Sequence, residues 1–353
     1  MIRINHILYI LVATLLFSCS TDKAIRKGDQ FYAINEYIEA AKEYKKAYRK
    51  TSAKEKPKRG VIAWKMAECY RKTNNAARAM GSYKNAIRYN YPDSLAHRHL
   101  ADALLVTGNY KEAIKSYETF LAIDSEDRLA QVGLQTARQS ADWKKNPTKY
   151  IVKRADELNG MRSDFCPMYV GSDTSMIVTT STRKEATGTD ISGVTGQKCA
   201  DLFLTKRNDK GKWQKVELIQ GETNSAYEDG ACAFTPDGKT MYFTRCVTDD
   251  QFPRFAAIYR SPRKDATWGK PEPVKISSDT LSSYAHPAVS PDGEWLYFAS
   301  DMAGGVGGFD IWRFYIGGNQ FKAGILENLG EQINTEGNEL FPAFGPGKEL
   351  YFS

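Results

Sequence analysis

The sequence predicts a two-part molecule, an all-α repeat array followed by an all-β repeat array. Three observations carry that reading. A helical pattern recurs at a period of about 34 residues, which is a known spacing of stacked helix pairs. A strand-rich pattern recurs at a longer regular interval, and the texture changes from one to the other at Asn146-Pro147. The 353 residues allow two or three domains, and a composition 42% hydrophobic and 12% aromatic can fill their cores. Charge divides at the same place. Residues 21–150 carry 26 Lys and Arg against 15 Asp and Glu, whereas residues 151–353 carry 22 against 27. The net charge of +7 is therefore a basic first half joined to a mildly acidic second half.

The chain opens with Arg3 and an apolar run from Ile7 to Phe17. That run is too short for a membrane span of about 20 residues and suits a secretory signal over residues 1–18. It ends in Leu16-Phe17-Ser18-Cys19, which resembles the bacterial lipobox. The resemblance implies lipidation at Cys19, and several acyl chains hold a protein stably on a membrane. Ser20 stands where a retention signal often places Asp, so the expected site is the periplasmic face of the outer membrane. Cys69 falls in a helical pattern as a small core residue. Cys166, Cys199, Cys232 and Cys246 remain, and an oxidising compartment permits disulfides among them without selecting a pairing.

Between Lys23 and Asn146 the positions Ala67, Tyr70, Ala79, Tyr83 and Ala86 recur one period later as Ala101, Leu104, Ala113, Tyr117 and Phe120. They also occur one repeat earlier as Gly28, Phe31, Ala40, Tyr44 and Ala47. That earlier interval is longer, and its five extra residues read as a lengthened basic loop, Lys54–Gly60. Small residues let paired helices approach and aromatics fill the groove between them. The pattern resembles three tetratricopeptide repeats with a capping helix over Leu129–Trp143. Such repeats stack into a solenoid whose concave face binds partners. The family register implies groove positions Val61, Trp64, Glu68, Arg71 and Lys72 in the second repeat. In the third it implies Leu95, Arg98, Asp102, Leu105 and Val106. The basic balance favours an acidic partner segment, with Trp64, Arg71 and Arg98 as its first contacts. No groove-reading motif or aromatic stacking platform accompanies these cations, which excludes nucleic acid as the partner.

In the second part, Ala233-Phe234-Thr235-Pro236-Asp237-Gly238 leads into Met241–Thr244, and Ala288–Gly293 into Leu296–Ala299. Ala343–Gly347 leads into Leu350–Ser353, and a degenerate copy runs from Tyr169 to Thr179. Each copy reads as a hairpin in which Pro sets the first turn dihedral, Asp bonds its own backbone and Gly supplies positive φ. Third strands follow at Asp201–Thr205, Ala257–Ser261 and Phe309–Phe314, and Trp213, Trp268 and Phe321 precede the next copy. Four strands at this period fit a β-propeller of about three and a half blades over residues 147–353, too few for closure. The run from Ser290 to Trp312 resembles the WD40-like (PD40) repeats of periplasmic propellers.

Catalytic chemistry finds no constellation. No GxSxG elbow occurs, Ser172 falls in a hairpin turn, and His286 reads as structural. Gly304–Gly308 links two strands with no helix to follow, so it reads as a loop and not a phosphate cradle. Asp301 and Asp310 read as turn-bonding residues. No Cys/His spacing suggests a metal, and no cofactor is implied.

The order of lipobox, tetratricopeptide repeats and WD40-like repeats resembles Bacteroidetes-type outer-membrane lipoproteins of the OmpA family, including PorE-like components of type IX secretion. Asn328–Thr335 is similar to their blade linkers. The resemblance implies a non-enzymatic, periplasm-facing scaffold that joins envelope proteins. It would reach peptidoglycan only through an OmpA-like domain beyond the end of this sequence. The alternative is an accessory ligand- or peptide-binding lipoprotein of an uptake system.

Overall fold

The computed structural model describes residues 20–189, 191–192, 195–247, 255–317 and 325–353, with the side chains of residues 141 and 144 also set aside. The expected signal segment, Cys19 and Phe321 lie outside the described residues. The chain divides into two compact units, one running to Val152 and including Gly193–Gly196, the other formed by the rest from Lys153 to Ser353.

The first unit is an all-α solenoid. Helix α1 covers residues 20–33. It is followed by α2 (Tyr37–Lys50), α3 (Lys56–Lys72), α4 (Ala76–Arg88), α5 (Leu95–Val106), α6 (Tyr110–Leu121) and α7 (Arg128–Lys145). The first helix of each pair stops the same way. Asn35, Asn74 and Gly108 adopt left-handed φ of 63°, 51° and 76°. The next residue then returns its N–H to a carbonyl five residues back: Glu36 to Phe31, Asn75 to Tyr70 and Asn109 to Leu104 at 2.8–2.9 Å. That is the Schellman closure, which satisfies carbonyls left open at a helix end and reverses the chain in few residues. Ala40, Ala79 and Ala113 are buried where paired helices touch. At Gly28 the approach is closer still, since a Cβ there would stand 2.6 Å from the Tyr44 ring.

The extra residues of the second repeat do not lengthen the loop. Only 51–55 separates α2 from α3. Instead α3 has 17 residues where α5 has 12, which adds about 7 Å of helix. Pro57 lies in the first turn of α3, where its missing N–H has no intrahelical role, so the stretch expected as a loop starts a helix instead.

The second unit is all-β. A first antiparallel sheet orders β1 (Asp164–Val170), β2 (Asp173–Ser181), β3 (Asp201–Lys206) and β4 (Glu217–Leu218). In the second, β5 (Glu228–Phe234), β6 (Thr240–Val247) and β7 (Phe255–Lys264) are joined by β8 (Thr267–Trp268) and β9 (Glu272–Pro273), both pairing with β7. The third orders β10 (Tyr284–Val289), β11 (Trp295–Ser300), β12 (Asp310–Tyr315) and β13 (Leu326–Asn328), and β14 (Ala343–Phe344) pairs with β15 (Leu350–Tyr351). The first strand of each sheet packs against the sheet before it. The result is a succession of separate, open sheets.

Asp237 and Asp292 accept the N–H groups of Lys239 and Glu294 at 3.0 Å, and Gly238 and Gly293 take φ of 65° and 76°. The fourth copy departs from this. Lys348 occupies the glycine place with φ of 71°, a conformation that strains a residue bearing a Cβ.

A feature absent from the sequence pattern recurs in all four copies. Cys166, Ala231, His286 and Phe341 adopt φ of 50°, 46°, 54° and 53° at matching places. In β1, β5 and β10 the residue sits at a bulge that shifts the ladder. Two of these turned N–H groups reach across to the preceding sheet. Ala231 donates to Thr180 Oγ1 and His286 donates to Thr244 Oγ1, both at 2.9 Å.

Of the disulfide pairings that the sequence permits, the structure excludes that of Cys232 with Cys246. The reason is register. Cys232 faces Phe243, and Cys246 faces Glu228. Along the strand they are thus offset by about 10 Å, beyond disulfide reach.

Thr244→Val keeps the shape of β6 but removes the acceptor for the His286 N–H. It is expected to cost about 1–2 kcal/mol, read as a lower urea midpoint for the β unit.

Candidate functional site

Each helical repeat buries a tyrosine almost completely: Tyr44 is 2%, Tyr83 0% and Tyr117 1% exposed. A buried hydroxyl needs a partner, and in all three repeats it is a carboxylate at one fixed spacing earlier in the chain, on the companion helix. Tyr44 donates to Asp29 at 2.6 Å, Tyr83 to Glu68 at 2.5 Å and Tyr117 to Asp102 at 2.7 Å. Glu68 and Asp102, expected to meet a partner, are thus spent on clasping paired helices.

Glu68 is the centre of a larger network. It also accepts from Arg71 Nη2 at 2.6 Å and lies 3.0 Å from His99 Nδ1. Burial alone would raise its carboxyl, but the bonds from His99, Arg71 and Tyr83 outweigh it and hold the group down at about 2. For Asp102 burial wins and the carboxyl is raised, despite the Tyr117 bond. Arg98 is paired with Asp127 at 2.8 Å with both side chains largely buried, and Asp127 also caps α7 through the Ala130 N–H at 2.7 Å. The two arginines predicted as contacts for an acidic segment are therefore already neutralised. Reversing their charge would break internal pairs. Lys72 lies exposed on the last turn of α3.

Trp64 does stand at a cavity. Its ring stacks on Tyr91 at 4.7 Å and 11°, and on His99 at 5.5 Å and 14°. Beside it is an open cavity of about 340 Å³ bounded by Tyr32, Tyr44, Val61, Trp64, Lys65 and Tyr91, with Asp29 and Glu68 at its wall. Lys65 binds Asp29, so this charge too is matched. The cavity presents aromatic faces, with Val61 and Ala33 as exposed aliphatic residues at its rim. Leu95 and Leu105 pack against the solenoid core, whereas Val106 is exposed. Sequence reading missed Tyr32 and Tyr91 as lining residues. The available signal was the constant acid-to-tyrosine spacing, which shows which carboxylates are consumed.

In the β unit the left-handed residues gather around a smaller cavity of about 210 Å³, bounded by Cys166, Met168, Cys232, His286 and Phe341 among others. His286 stacks on Phe341 at 3.7 Å, and burial pushes its imidazole down to about 4. Burial also pushes the Cys166 thiol up to about 11, opposite to the shift a nucleophilic thiol needs. Asp301 accepts the Ser283 N–H. Asp310 gathers the N–H groups of Val306 and Gly307 and the amide of Asn328, and the Gly308 N–H donates to the Gly337 carbonyl, so these donors of the glycine-rich loop are used within the fold. Among the described residues no group of three or more His, Cys, Asp or Glu could hold a metal.

No family model matches this sequence, and no curated protein matches it. Several solved structures resemble parts of it. The first tetratricopeptide domain of human RPAP3 is 21% identical over 36% of this chain and 98% of its own, with a TM-score of 0.31. The Sgt2 tetratricopeptide domain from Aspergillus fumigatus is 20% identical over 40% of this chain and 91% of its own, with a TM-score of 0.31. TolB from Acinetobacter baumannii is 17% identical over 54% of this chain, with a TM-score of 0.36, and the chain spans only 37% of that protein.

Because the folded carboxyl of Glu68 is depressed, its stabilisation is present above the ordinary carboxylate range and fades as pH falls toward about 2. Glu68→Gln is expected to cost the α unit about 2 kcal/mol at neutral pH. The gap to wild type should shrink steadily below about pH 4.5, as read by urea unfolding followed by far-ultraviolet circular dichroism.

Proposed function

We propose that this chain is a non-enzymatic scaffold that holds partner proteins through the α unit, and that it does so as a lipoprotein anchored at Cys19 on the periplasmic face of the outer membrane. The observation that carries the binding reading is the aromatic cavity beside Trp64, whose neighbouring charges are already paired. Desolvating matched charges brings little net gain, whereas aromatic walls around a vacant apolar space suit a buried anchor side chain. The partner segment therefore brings an apolar or aromatic anchor, and the excess of lysine outside the cavity steers it without forming the central contact.

The β unit is read as part of a WD40-like propeller, which supplies a second interaction platform. The repeated first-strand bulge and the sheet-to-sheet N–H bonds support that reading. The sequence resemblance supports a place beside an envelope machine of the type IX secretion kind. There a further OmpA-like domain of the whole protein would supply the link to peptidoglycan.

The test is co-purification of envelope proteins with the tagged full chain. Val61→Asp at the exposed rim and Trp64→Ala at the wall are expected to reduce capture of the same partner by about tenfold or more. Lys115→Glu on the outer face of α6 should leave it unchanged. Undiminished capture by both folded variants would overturn the groove reading.

A further inference from the structure

The surplus positive charge of the α unit is not spread evenly. Over residues 49–59 stand Arg49, Lys50, Lys54, Lys56, Lys58 and Arg59 against the single carboxylate Glu55. These residues span the last turn of α2, the short loop and the first turns of the extended α3. One of them has a structural duty. The Arg59 guanidinium lies 4.0 Å from the centre of the Tyr48 ring and donates to the carbonyls of Tyr48 and Thr51, closing the end of α2. The others do not share it. Arg49, Lys50, Lys54 and Lys56 are exposed, and the Glu55 carboxylate accepts the Ser52 N–H.

The same end of the solenoid carries the start of the described chain. Lys50 Nζ lies 3.2 Å from Ser20 Oγ, and Lys58 Nζ lies 2.7 Å from Asp22 Oδ1. Ser20 is already helical, and Cys19 precedes it by one peptide bond, a Cα step of about 3.8 Å. No flexible linker therefore separates the lipidation position from this cluster. A lipid on Cys19 would bring Lys50, 3.2 Å from Ser20, within a Debye length of the bilayer surface, where each Lys or Arg gains from anionic headgroups.

We propose that Arg49, Lys50, Lys54 and Lys56 form a membrane-facing collar that binds the phosphate-bearing headgroups of anionic lipids. The collar sets this end of the solenoid against the bilayer and leaves the Trp64 cavity held at a defined height above it. The proposal rests on the lipid-anchor reading above and adds to it a lipid class and a fixed orientation. The extension of α3 contributes Lys56 to the collar and, through Lys58 and Asp22, ties it to α1.

The experiment reconstitutes the lipidated full chain in vesicles of phosphatidylethanolamine alone, and of phosphatidylethanolamine with phosphatidylglycerol, and maps amine labelling by mass spectrometry. With phosphatidylglycerol, labelling of Lys54 and Lys56 should fall about fivefold and recover in high salt. Lys111 and Lys115 on α6 should label equally in both. Equal labelling of Lys54 and Lys56 in the two vesicles, on a chain whose Cys19 carries lipid, overturns the collar alone. An unmodified Cys19 in the same digest overturns the anchor reading instead. Protection by inorganic phosphate without vesicles assigns the cluster to a soluble anion and overturns the lipid proposal.

Discussion

The α unit depends on the obligation of a buried tyrosine hydroxyl to find a partner. Tyr44, Tyr83 and Tyr117 fill the space between paired helices, and each hydroxyl is met by Asp29, Glu68 or Asp102 on the companion helix. The bond fixes the height of one helix against the other, while the alanines and Gly28 fix how closely they approach. Charge follows from the same constraint. A carboxylate held in the wall attracts its own cations, as Glu68 does with Arg71 and Asp29 with Lys65. What remains for a partner is the aromatic surface that those pairs frame.

The β unit meets the same obligation between sheets. Residues forced into left-handed bulges turn their N–H groups away from the local ladder, and Thr180 and Thr244 of the preceding sheet receive two of them. Asparagines add a second clip. Asn224 bonds both the N–H and the carbonyl of Leu202, and Asn334 does the same with Ile311. The equivalent position in the intervening copy is Asp279, which has no donor for a carbonyl and instead accepts from Leu281 and Ser282 within its own turn. Neighbouring sheets are thus joined by a few specific polar bonds in addition to their apolar cores.

Much of the fold was legible because repetition averages out local ambiguity. Three copies of a helical register located the pairs, the tight turns and the cap. Three copies of a Pro-Asp-Gly type turn located the hairpins and their third strands. The site was less legible, for a physical reason. Trp64, Glu68, Arg71 and Lys72 share a region of one helix by spacing, but which of them is free depends on the helix packed against it. Only the Tyr83 hydroxyl and the His99 ring decide that Glu68 is internal, which leaves the exposed Arg71 paired to it. The basic stretch misled in the opposite way, since five extra residues between repeats read as a longer loop until they are placed in the added first turns of α3. Side-chain pattern also cannot reveal the left-handed bulges, because Cys, Ala, His and Phe occupy them without a glycine to mark the place.

On the proposed reading, neutralised charges, an aromatic cavity and a basic collar at one end make an adaptor whose electrostatics orient it and whose apolar groove binds. The most direct measurement is site-specific photo-crosslinking in the native envelope, with the photoreactive residue placed at Val61 on the cavity rim or at Lys115 on the outer face of α6. The account predicts a discrete cross-linked partner from Val61 and none from Lys115. Cross-links from Lys115 with none from Val61 would contradict it.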